Sequence, residues 1–375
     1  MSNATALYAL NLVEAQTLIR YSGDTTVLMQ GHMGTGKSSM LKMLAQELPT
    51  HTPCYFDCTT KDLGDITIPN VVNLTAALSG AQAITDAAPY VQYVTNEELG
   101  VHLDKPIILM IDEYGKANPA VKNALLRLML ERKIGSRTLH PDSLVFATTN
   151  LGSEGVGDLL PAHARNRLTI IKTRKPTNVE WIEEWALNAG IDHTMLAWVT
   201  DNPQVFHSFE DYKNAEDNKF IYHPADPSRT SFVTPRSLEK ASNWLKVREK
   251  LSDKTLMAAL MGTIGTEAAA NLNTYVRVAD QLPSLDSIKK DPMNAKVPDS
   301  ASAVCMVVHR TLQTIDKSWM DAWMDYSSRL DKEAQTMFAM QVRRPNYKSQ
   351  AEVVTNKKFT QWCMANNYVF AADKK

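Results

Sequence analysis

Apolar and polar positions along the first half of the chain follow two alternating patterns. Short apolar runs predict buried strands, and the segments between them carry apolar residues at the three- and four-residue spacing of an amphipathic helix. This alternation is typical of an α/β fold in which a parallel sheet is flanked by helices. The predicted strands span residues 25–30, 54–58, 106–113 and 144–150, with 167–172 as a candidate fifth, and the predicted helices span 38–48, 74–89 and 118–133.

The helix predicted at 118–133 has the clearest start signals. Asn118 can act as its N-cap, and Pro119 suits the first helical position because its missing N–H is not needed there. Apolar residues then recur on one face of the helix, at Val121, Ala124, Leu125, Leu128 and Met129. We therefore expect this helix to bury one continuous stripe.

The second half of the chain has a different character. Helices are predicted at 177–190 and 234–251, whereas residues 203–233 are polar, aromatic and proline-bearing without a clear period. The remainder is predicted to be mostly helical, with a proline-rich connector at 283–298. Four residues at helical spacing in this remainder are interpreted as core or interface rather than as a ligand site: Trp319, Trp323, Tyr326 and Leu330.

These patterns predict three parts. They are an α/β domain over residues 1–175, a helical domain over 176–250 with an irregular insertion near 203–233, and a helical C-terminal extension over 251–375. A chain of 375 residues is too long for one ordinary core, so two or three domains are expected.

Composition narrows the class of protein. The net charge is −1, whereas a dedicated nucleic-acid binder usually carries a basic excess. The four cysteines are too few for a disulfide framework, and Cys54 and Cys58 fall on one face of a predicted strand, which favours core packing over a metal site. The sequence contains neither an apolar run of about 18 residues nor a basic leader before an apolar segment. We therefore expect a cytoplasmic protein without a membrane span.

The stretch GHMGTGKSSM, residues 31–40, holds three glycines in six residues, followed at once by a lysine and two serines. It lies between a predicted strand and a predicted helix, as the phosphate-loop motif G-x-x-x-x-G-K-[ST] requires. Glycine permits positive φ and close backbone approach, so that successive N–H groups can surround phosphate oxygens at the positive end of a helix. Lys37 would reach the β- and γ-phosphates, and Ser38 would bind Mg²⁺. The alternative is a glycine-rich turn with an accidental lysine.

Three polar residues end two of the predicted strands. Asp112 and Glu113 follow the apolar run of strand 106–113, and they would lie at the carboxyl edge of the sheet, where ligands bind in such folds. We expect Asp112 to bind Mg²⁺, directly or through water, and Glu113 to polarise an attacking water. Asn150 ends strand 144–150 and could orient that water without adding charge, although a lone asparagine there is also a common turn residue.

Three arginines in later segments could act on a γ-phosphate. Arg165 and Arg167 precede the candidate fifth strand, where one of them could reach a neighbouring subunit and stabilise charge on the transferring phosphate. Surface arginines are the alternative. Arg236 lies in the first turn of a helix predicted to be capped by Thr234, where the helix dipole disfavours a cation by roughly 0.3–1 kcal/mol. A bound phosphate would compensate for that cost.

In this order, the five elements resemble the Walker A, Walker B, sensor 1, arginine finger and sensor 2 motifs of an AAA+ ATPase. Their sequences are similar to those of the MoxR and dynein/midasin-related branch. The segment DEYGKANPAVKNALLRLMLERKI resembles the Walker B strand and the next helix of that branch. The segment LPAHARNRL resembles its finger segment, and VTPRSL resembles its sensor 2 segment. ERKIGSRTLHP resembles the hairpin that this branch inserts before sensor 1, although a plain loop would look similar. Asn166 stands where many MoxR proteins have aspartate.

The resemblance implies a fold and a set of residue roles. The fold would be a phosphate-loop NTPase sheet domain followed by a helical lid. Mg²⁺ would be held by Ser38 and Asp112, Glu113 would be the catalytic base, and Asn150 would be sensor 1. Arg167, or Arg165 as a second candidate, would be the finger, and Arg236 would be sensor 2. The residues implied to bind nucleotide are Gly31, His32, Met33, Gly34, Thr35, Gly36, Lys37, Ser38 and Ser39.

The same resemblance implies a Mg²⁺-dependent ATPase that assembles as a homo-oligomeric ring, expected to be a hexamer because the finger must come from a neighbour. Lid movement would remodel or activate a client protein, and MoxR-like proteins commonly act in this chaperone-like way beside a partner with a von Willebrand A domain. Two alternatives remain open. One is a nucleic-acid motor or loader, which the near-neutral charge disfavours. The other is an ATP-binding scaffold with negligible turnover. ATP rather than GTP follows from the resemblance alone.

Overall fold

The computed structural model describes residues 8–72, 90–150, 166–279 and 281–370. The chain divides into two compact units, Met1–Lys175 and Pro176–Lys375. The helix predicted at 74–89 lies outside the described residues, and a further boundary at residue 250 stays a prediction. Within the described ranges, no helix is long and apolar enough to span a bilayer.

The strands lie in the first unit. In chain order they are β1 (Val27–Gly31), β2 (Thr52–Asp57), β3 (Thr67–Val72), β4 (Tyr90–Thr95), β5 (Ile107–Asp112), β6 (Lys133–Ile134), β7 (Arg137–Thr138), β8 (Leu144–Thr149) and β9 (Thr169–Thr173). Five of them form one sheet in the order β2–β5–β8–β1–β9, with every pair parallel. The predicted parallel sheet is confirmed, and the candidate fifth strand is its edge strand β9.

Helices cover both faces of this sheet. Helices α1 (Leu12–Arg20) and α2 (Met40–Glu47) pack on one face, and α3 (Pro119–Glu131) packs on the other. Side chains alternate along β5 accordingly: Ile108 and Met110 join the cluster of α1 and α2, whereas Leu109 and Ile111 join the cluster of α3. Every residue of β5 and of β8 is buried as a result.

The start of α3 follows the sequence signals. The Asn118 side chain accepts a hydrogen bond from the Val121 N–H at 2.9 Å, and Pro119 is the first helical residue. Of the predicted stripe, Val121, Leu125, Leu128 and Met129 are buried, and Ala124 packs against the same cluster while partly exposed. The predicted cap and the buried stripe are therefore confirmed.

Two small antiparallel hairpins accompany the sheet. Strands β6 and β7 form one of them between α3 and β8, so the stretch ERKIGSRTLHP holds a hairpin rather than a plain loop. The other pairs β3 with β4, and neither strand carries a charged residue. Large apolar side chains are exposed on this second hairpin at Ile68, Tyr90, Val91, Tyr93 and Val94.

The second unit is helical where it is regular. Its helices are α4 (Asn178–Glu180), which continues as a π-helix over Trp181–Ala186, then α5 (His193–Asp201), α6 (Pro235–Lys246), α7 (Asp253–Ile264), α8 (Thr266–Ala279), α9 (Leu285–Lys290), α10 (Ala301–Thr314), α11 (Met320–Ser327), α12 (Lys332–Val342), α13 (Gln350–Val354) and α14 (Lys357–Ala365). The helix predicted at 177–190 is thus shorter than expected and changes its pitch after one turn. The predicted mostly helical C-terminal region is confirmed.

Residues 203–233 contain only short 3₁₀ turns of three or four residues, as their irregular sequence predicts. The segment is ordered by Arg229, whose guanidinium donates hydrogen bonds to the carbonyl oxygens of Asn218 and Ile221 at 2.8 and 2.9 Å. Asp226 accepts a further bond from Arg229 Nε at 2.8 Å. The Arg229 side chain, which is 11% exposed, therefore satisfies carbonyl groups that the backbone turns of this segment leave available.

The four residues read as core are buried in the hydrophobic cluster of this unit: Trp319, Trp323, Tyr326 and Leu330. Trp323 is fully buried and packs 5.2 Å, between ring centroids, from Phe338 of α12. The core interpretation is therefore confirmed.

Candidate functional site

The glycine-rich loop joins the end of β1 to α2. Gly34 and Gly36 have φ angles of 71° and 98°, which side-chain-bearing residues rarely adopt. Thr35 Oγ1 donates to the carbonyl oxygen of His32 at 2.9 Å, which closes the loop on itself. The chain then enters a 3₁₀ turn at Lys37–Ser39 that leads directly into α2. The loop therefore has the strand-before, helix-after setting that the phosphate-loop motif needs.

The ammonium group of Lys37 lies inside this loop and is buried, with 7% of the residue exposed. It donates to the carbonyl oxygens of Gly31 and His32 at 2.8 and 2.7 Å, and to Asn150 Oδ1 at 2.9 Å. Three oxygen acceptors therefore surround the charge. Because these acceptors are neutral, the anionic oxygens of a phosphate could replace them with a gain in electrostatic energy.

The carboxylate of Asp112 sits at the carboxyl end of β5 and is buried. Its Oδ2 accepts hydrogen bonds from Ser38 Oγ at 3.2 Å and from the Tyr55 hydroxyl at 2.9 Å. Its Oδ1 accepts from Thr148 Oγ1 and from the Glu113 N–H, the latter at 3.1 Å. The predicted metal-binding pair, Ser38 and Asp112, is thus brought into direct contact.

Glu113 follows with φ 53°, in the left-handed region. This turn breaks the alternation of the strand, so the side chain after Asp112 can face the same edge of the sheet. Its Oε1 accepts a bond from Asn150 Nδ2 at 3.4 Å, and its Oε2 lies 3.1 Å from Lys116 Nζ. Asn150 therefore bridges Glu113 and Lys37 with the two ends of one amide.

Two contributors to this network were not predicted from the sequence. Tyr55 comes from β2 and Thr148 from β8, the two strands that flank β5. Burial, and then the charge of Asp112, raise the pKa of Tyr55, so its hydroxyl stays a donor. The only sequence signal was their polar character near the ends of otherwise apolar strands.

Cys54 and Cys58 are both buried free thiols. Burial raises the pKa of Cys58 to about 12, and the carboxylates of Asp57 and Asp112 act in the same direction. Both side chains belong to the hydrophobic cluster that contains Leu109 and Ile111 of β5. The core-packing interpretation of these cysteines is confirmed.

The outcome differs among the three predicted arginines. Arg165 lies outside the described residues. Arg167 is exposed, two residues before β9. Arg236 is exposed in the first turn of α6, where Thr234 is the N-cap and accepts a bond from the Ser237 N–H at 3.1 Å. That helix start was predicted, whereas the roles of the three arginines stay predictions.

The donor set at Ser38 and Asp112 fits magnesium. Mg²⁺ prefers hard oxygen ligands and is usually held by one or two carboxylates together with substrate phosphates and water. Within the described ranges there is no cluster of three or more histidine, cysteine, aspartate or glutamate side chains that could hold a metal on its own. A metal at this site would therefore depend on the nucleotide for its remaining ligands.

A five-stranded parallel sheet with this loop between β1 and α2 defines a phosphate-loop nucleotide-binding fold. Residues 27–174 match the sequence model of the family described as "ATPase family associated with various cellular activities (AAA)". The match runs from the first residue of β1 to the residue after β9, so this part of the chain is similar to an AAA ATPase domain. The match does not reach to the MoxR branch, which stays a proposal.

Solved structures are similar at a lower level. The Thermotoga maritima RuvB Holliday junction branch migration motor is 18% identical over 76% of this chain and 75% of that chain, with a TM-score of 0.35. NtrX from Brucella abortus, solved in complex with ADP, is 12% identical over 86% of this chain and 64% of that chain, with a TM-score of 0.36. No curated protein matches the sequence.

Proposed function

We propose that this chain is an ATP-hydrolysing, Mg²⁺-dependent AAA+ protein that assembles as a ring and remodels or activates a partner protein. The observation that carries the proposal is one continuous hydrogen-bonded network. In it the Asn150 amide joins the Lys37 ammonium to the Glu113 carboxylate. A loop that only made a turn would not need its lysine joined to a carboxylate on another strand.

Nucleotide binding would use the loop and its lysine. Backbone N–H groups of residues 31–39 and the start of α2 would face the phosphates, and Lys37 would exchange its carbonyl contacts for phosphate oxygens. Ser38 and Asp112 would hold magnesium, which would neutralise charge on the phosphates. The Ser38 hydroxyl donates a hydrogen bond of 3.2 Å to Asp112 Oδ2. This supports the assignment, because the two oxygens are close enough to bind one metal ion.

Hydrolysis would use Glu113 and Asn150. The Glu113 carboxylate would hold the attacking water and take its proton, and Asn150 would fix that carboxylate through the bond to Oε1. Arg167, or Arg165, would be supplied by the neighbouring subunit to stabilise charge on the transferring phosphate, and Arg236 would act as the sensor on the lid. The exposed position of Arg167 supports a role outside its own domain.

The MoxR-like assignment is part of the proposal. The hairpin of β6 and β7 supports it, because this branch inserts a hairpin before sensor 1 and the strand that follows, β8, leads into Asn150. The proposed assembly is a hexameric ring in the cytoplasm, acting as a chaperone-like remodeller. Its client is a protein, with a von Willebrand A domain protein as the proposed partner. The alternative client is a nucleic acid, which the basic residues Arg167, Lys172, Arg174 and Lys175 would favour.

Glu113→Gln tests the catalytic assignment. The amide keeps the size of the side chain and the same backbone requirement at φ 53°, but it cannot accept a proton from water. We expect ATP binding to persist while turnover falls by about 10²–10⁴-fold, as for loss of a general base. Steady-state phosphate release and equilibrium binding of ATP measure the two effects. Glu131→Gln on the exposed end of α3 is the matched control.

Normal hydrolysis by the glutamine variant would show that Glu113 is not the base. Glu113→Gln also tests the class of client, because with ATP bound and not hydrolysed the variant should retain its client in a pull-down. Lys37→Ala, which should not bind ATP, should not retain the client. DNA-stimulated hydrolysis that weakens steeply with salt would instead place the function among nucleic-acid motors.

A further inference from the structure

Asp112 receives a hydrogen bond from a strand that carries none of the motif residues. Tyr55 lies on β2, which pairs in parallel with β5 so that Tyr55 is opposite Met110 and Asp57 is opposite Asp112. Residues two apart on a strand project from the same face. The Tyr55 side chain therefore runs along the face that carries Asp112, and its hydroxyl reaches Oδ2 at 2.9 Å.

The carboxylate of Asp112 is held from four directions. Oδ1 accepts from Thr148 Oγ1 and from the Glu113 N–H. Oδ2 accepts from Ser38 Oγ and from the Tyr55 hydroxyl. A carboxylate offers about four acceptor positions, so each is used and the rotation of the group is fixed. Of the two bonds to Oδ2, only the one from Tyr55 comes from a residue outside the proposed magnesium pair.

We propose that Tyr55 is a positioning residue for magnesium binding, which keeps Oδ2 of Asp112 directed toward Ser38. The inference rests on the proposed function, because it assumes that Ser38 and Asp112 hold the metal. Tyr55 does not touch the phosphates or the metal in this assignment. Its hydroxyl occupies one acceptor position of Oδ2 and leaves the other facing Ser38 for the metal. Partners that orient a metal-binding carboxylate in this way typically contribute 10–100-fold to metal affinity or activity.

Tyr55→Phe removes the hydroxyl and keeps the ring. We measure the affinity of a fluorescent ADP at increasing Mg²⁺ and again in EDTA, together with Mn²⁺ binding followed by electron paramagnetic resonance. We expect about a tenfold rise in the Mg²⁺ concentration needed for half of the affinity gain and a matching loss of Mn²⁺ affinity. The affinity in EDTA should stay unchanged, since the loop and Lys37 are untouched. Tyr93→Phe on the exposed β4 is the matched control.

The outcomes separate the two proposals. Equal metal dependence in Tyr55→Phe and wild type overturns the positioning role, as does tighter metal binding in the variant, which would mean that the phenol competes with the metal. An equal loss of affinity with and without metal also overturns it, because that pattern marks a general structural defect. If wild-type protein binds nucleotide without any effect of Mg²⁺, the proposed magnesium site itself is wrong. Thermal unfolding checks that both phenylalanine variants are folded.

Discussion

At the scale of single residues, the three glycines of the loop answer different physical demands. Gly34 and Gly36 adopt positive φ, whereas Gly31 is required by its neighbour. A Cβ atom added at Gly31 would lie 2.1 Å from Thr173 Oγ1 and 3.1 Å from the Thr173 carbonyl oxygen. The start of the phosphate loop is therefore packed directly against the edge strand β9, so Gly31 ties the position of the loop to that strand.

Gly31→Ala should destabilise the domain because the new methyl group has no free space. Overpacking of this kind typically costs about 1–3 kcal/mol, which thermal unfolding should register as a lower midpoint. Adding Thr173→Ala removes the nearest atom, Oγ1, and should recover part of the loss. Gly64→Ala is the control, since a Cβ there meets nothing within 4 Å. An unchanged midpoint in Gly31→Ala would contradict the close approach.

At this scale, the sequence predicted those site residues that are recognisable by residue type and spacing. Lys37, Asp112 and Asn150 could be placed because each stands at a fixed offset in a motif or at the end of a strand. Tyr55 and Thr148 could not be placed, because their contact with Asp112 depends on which strands flank β5. Strand order is a long-range property that no local pattern contains.

At the scale of elements, α5 and α10 pack with polar groups between them. His309 of α10 is 1% exposed, and its Nε2 lies 3.5 Å from Thr200 Oγ1 of α5. Its Nδ1 has no hydrogen-bond partner among the described residues. Burial lowers the pKa of His309 to about 3, and the charge of His193 at the start of α5 acts in the same direction. The imidazole is therefore neutral in the folded helix pair.

This burial makes stability depend on pH with a definite sign. The folded pKa of His309 lies below the value of about 6.5 expected for an unfolded chain, so the unfolded state binds more protons between the two values. Stability should be complete above pH 6.5 and fall as pH drops toward 3. Relative to His309→Leu, wild-type protein should lose about 2 kcal/mol between pH 7 and pH 5. Urea unfolding at both pH values measures the difference.

His102→Leu is the control, because His102 is exposed in a different unit. Other titrating groups near α10 should contribute equally to both proteins: burial also lowers the pKa of His193, and Asp192, Arg248 and Arg310 lie around it. A parallel pH dependence of wild type and His309→Leu would show that His309 is not held neutral.

Elements differ in how well their patterns predicted them. The start of α3 was predictable because the cap and the proline act within the first turn. The change from α4 to a π-helix was not, since so short a segment holds too few apolar positions to distinguish a period of 3.6 residues from the longer period of i→i+5 bonding. Strands β3 and β4 were not predicted either. Apolar runs indicate strands when they are buried, whereas the large apolar residues of β3 and β4 are exposed to solvent.

At the scale of the whole molecule, the chain consists of two units with separate cores and a net charge of −1. Its catalytic network, as proposed, holds the base and the metal pair within the first unit. In the proposed mechanism, the finger Arg167 is supplied by another copy, and its exposed position supports this. Under this proposal, turnover requires assembly of several copies.

A mixing experiment tests this dependence. Arg167→Ala should spare ATP binding and lower turnover by about 10³–10⁵-fold, the usual contribution of such a finger. Glu113→Gln chains retain Arg167 but lack the base. When the two variants are mixed, sites with an intact base can receive an intact arginine from a neighbour, so phosphate release should rise above that of either alone.

Absence of any gain on mixing would argue that the site is completed within one chain or by another residue. Arg165→Ala, mixed in the same way, decides which arginine is used. Lys240→Ala on the exposed face of α6 is a control for loss of a surface cation. Sequence reasoning could suggest the finger but not assign it, since two arginines stand two positions apart and the choice depends on a surface formed only between copies.

Position 113 must meet two separate requirements, a left-handed backbone conformation and, as proposed, a carboxylate that reaches the attacking water. The side chains that cost least in that conformation are glycine, asparagine and aspartate, and none of them extends as far as glutamate. In a library randomised at position 113, selection for expression and selection for turnover should therefore enrich different residues. Selection for expression would favour the short residues, and selection for turnover would favour glutamate. Selecting for stability alone, without an assay of hydrolysis, should therefore first remove the carboxylate that is proposed as the catalytic base.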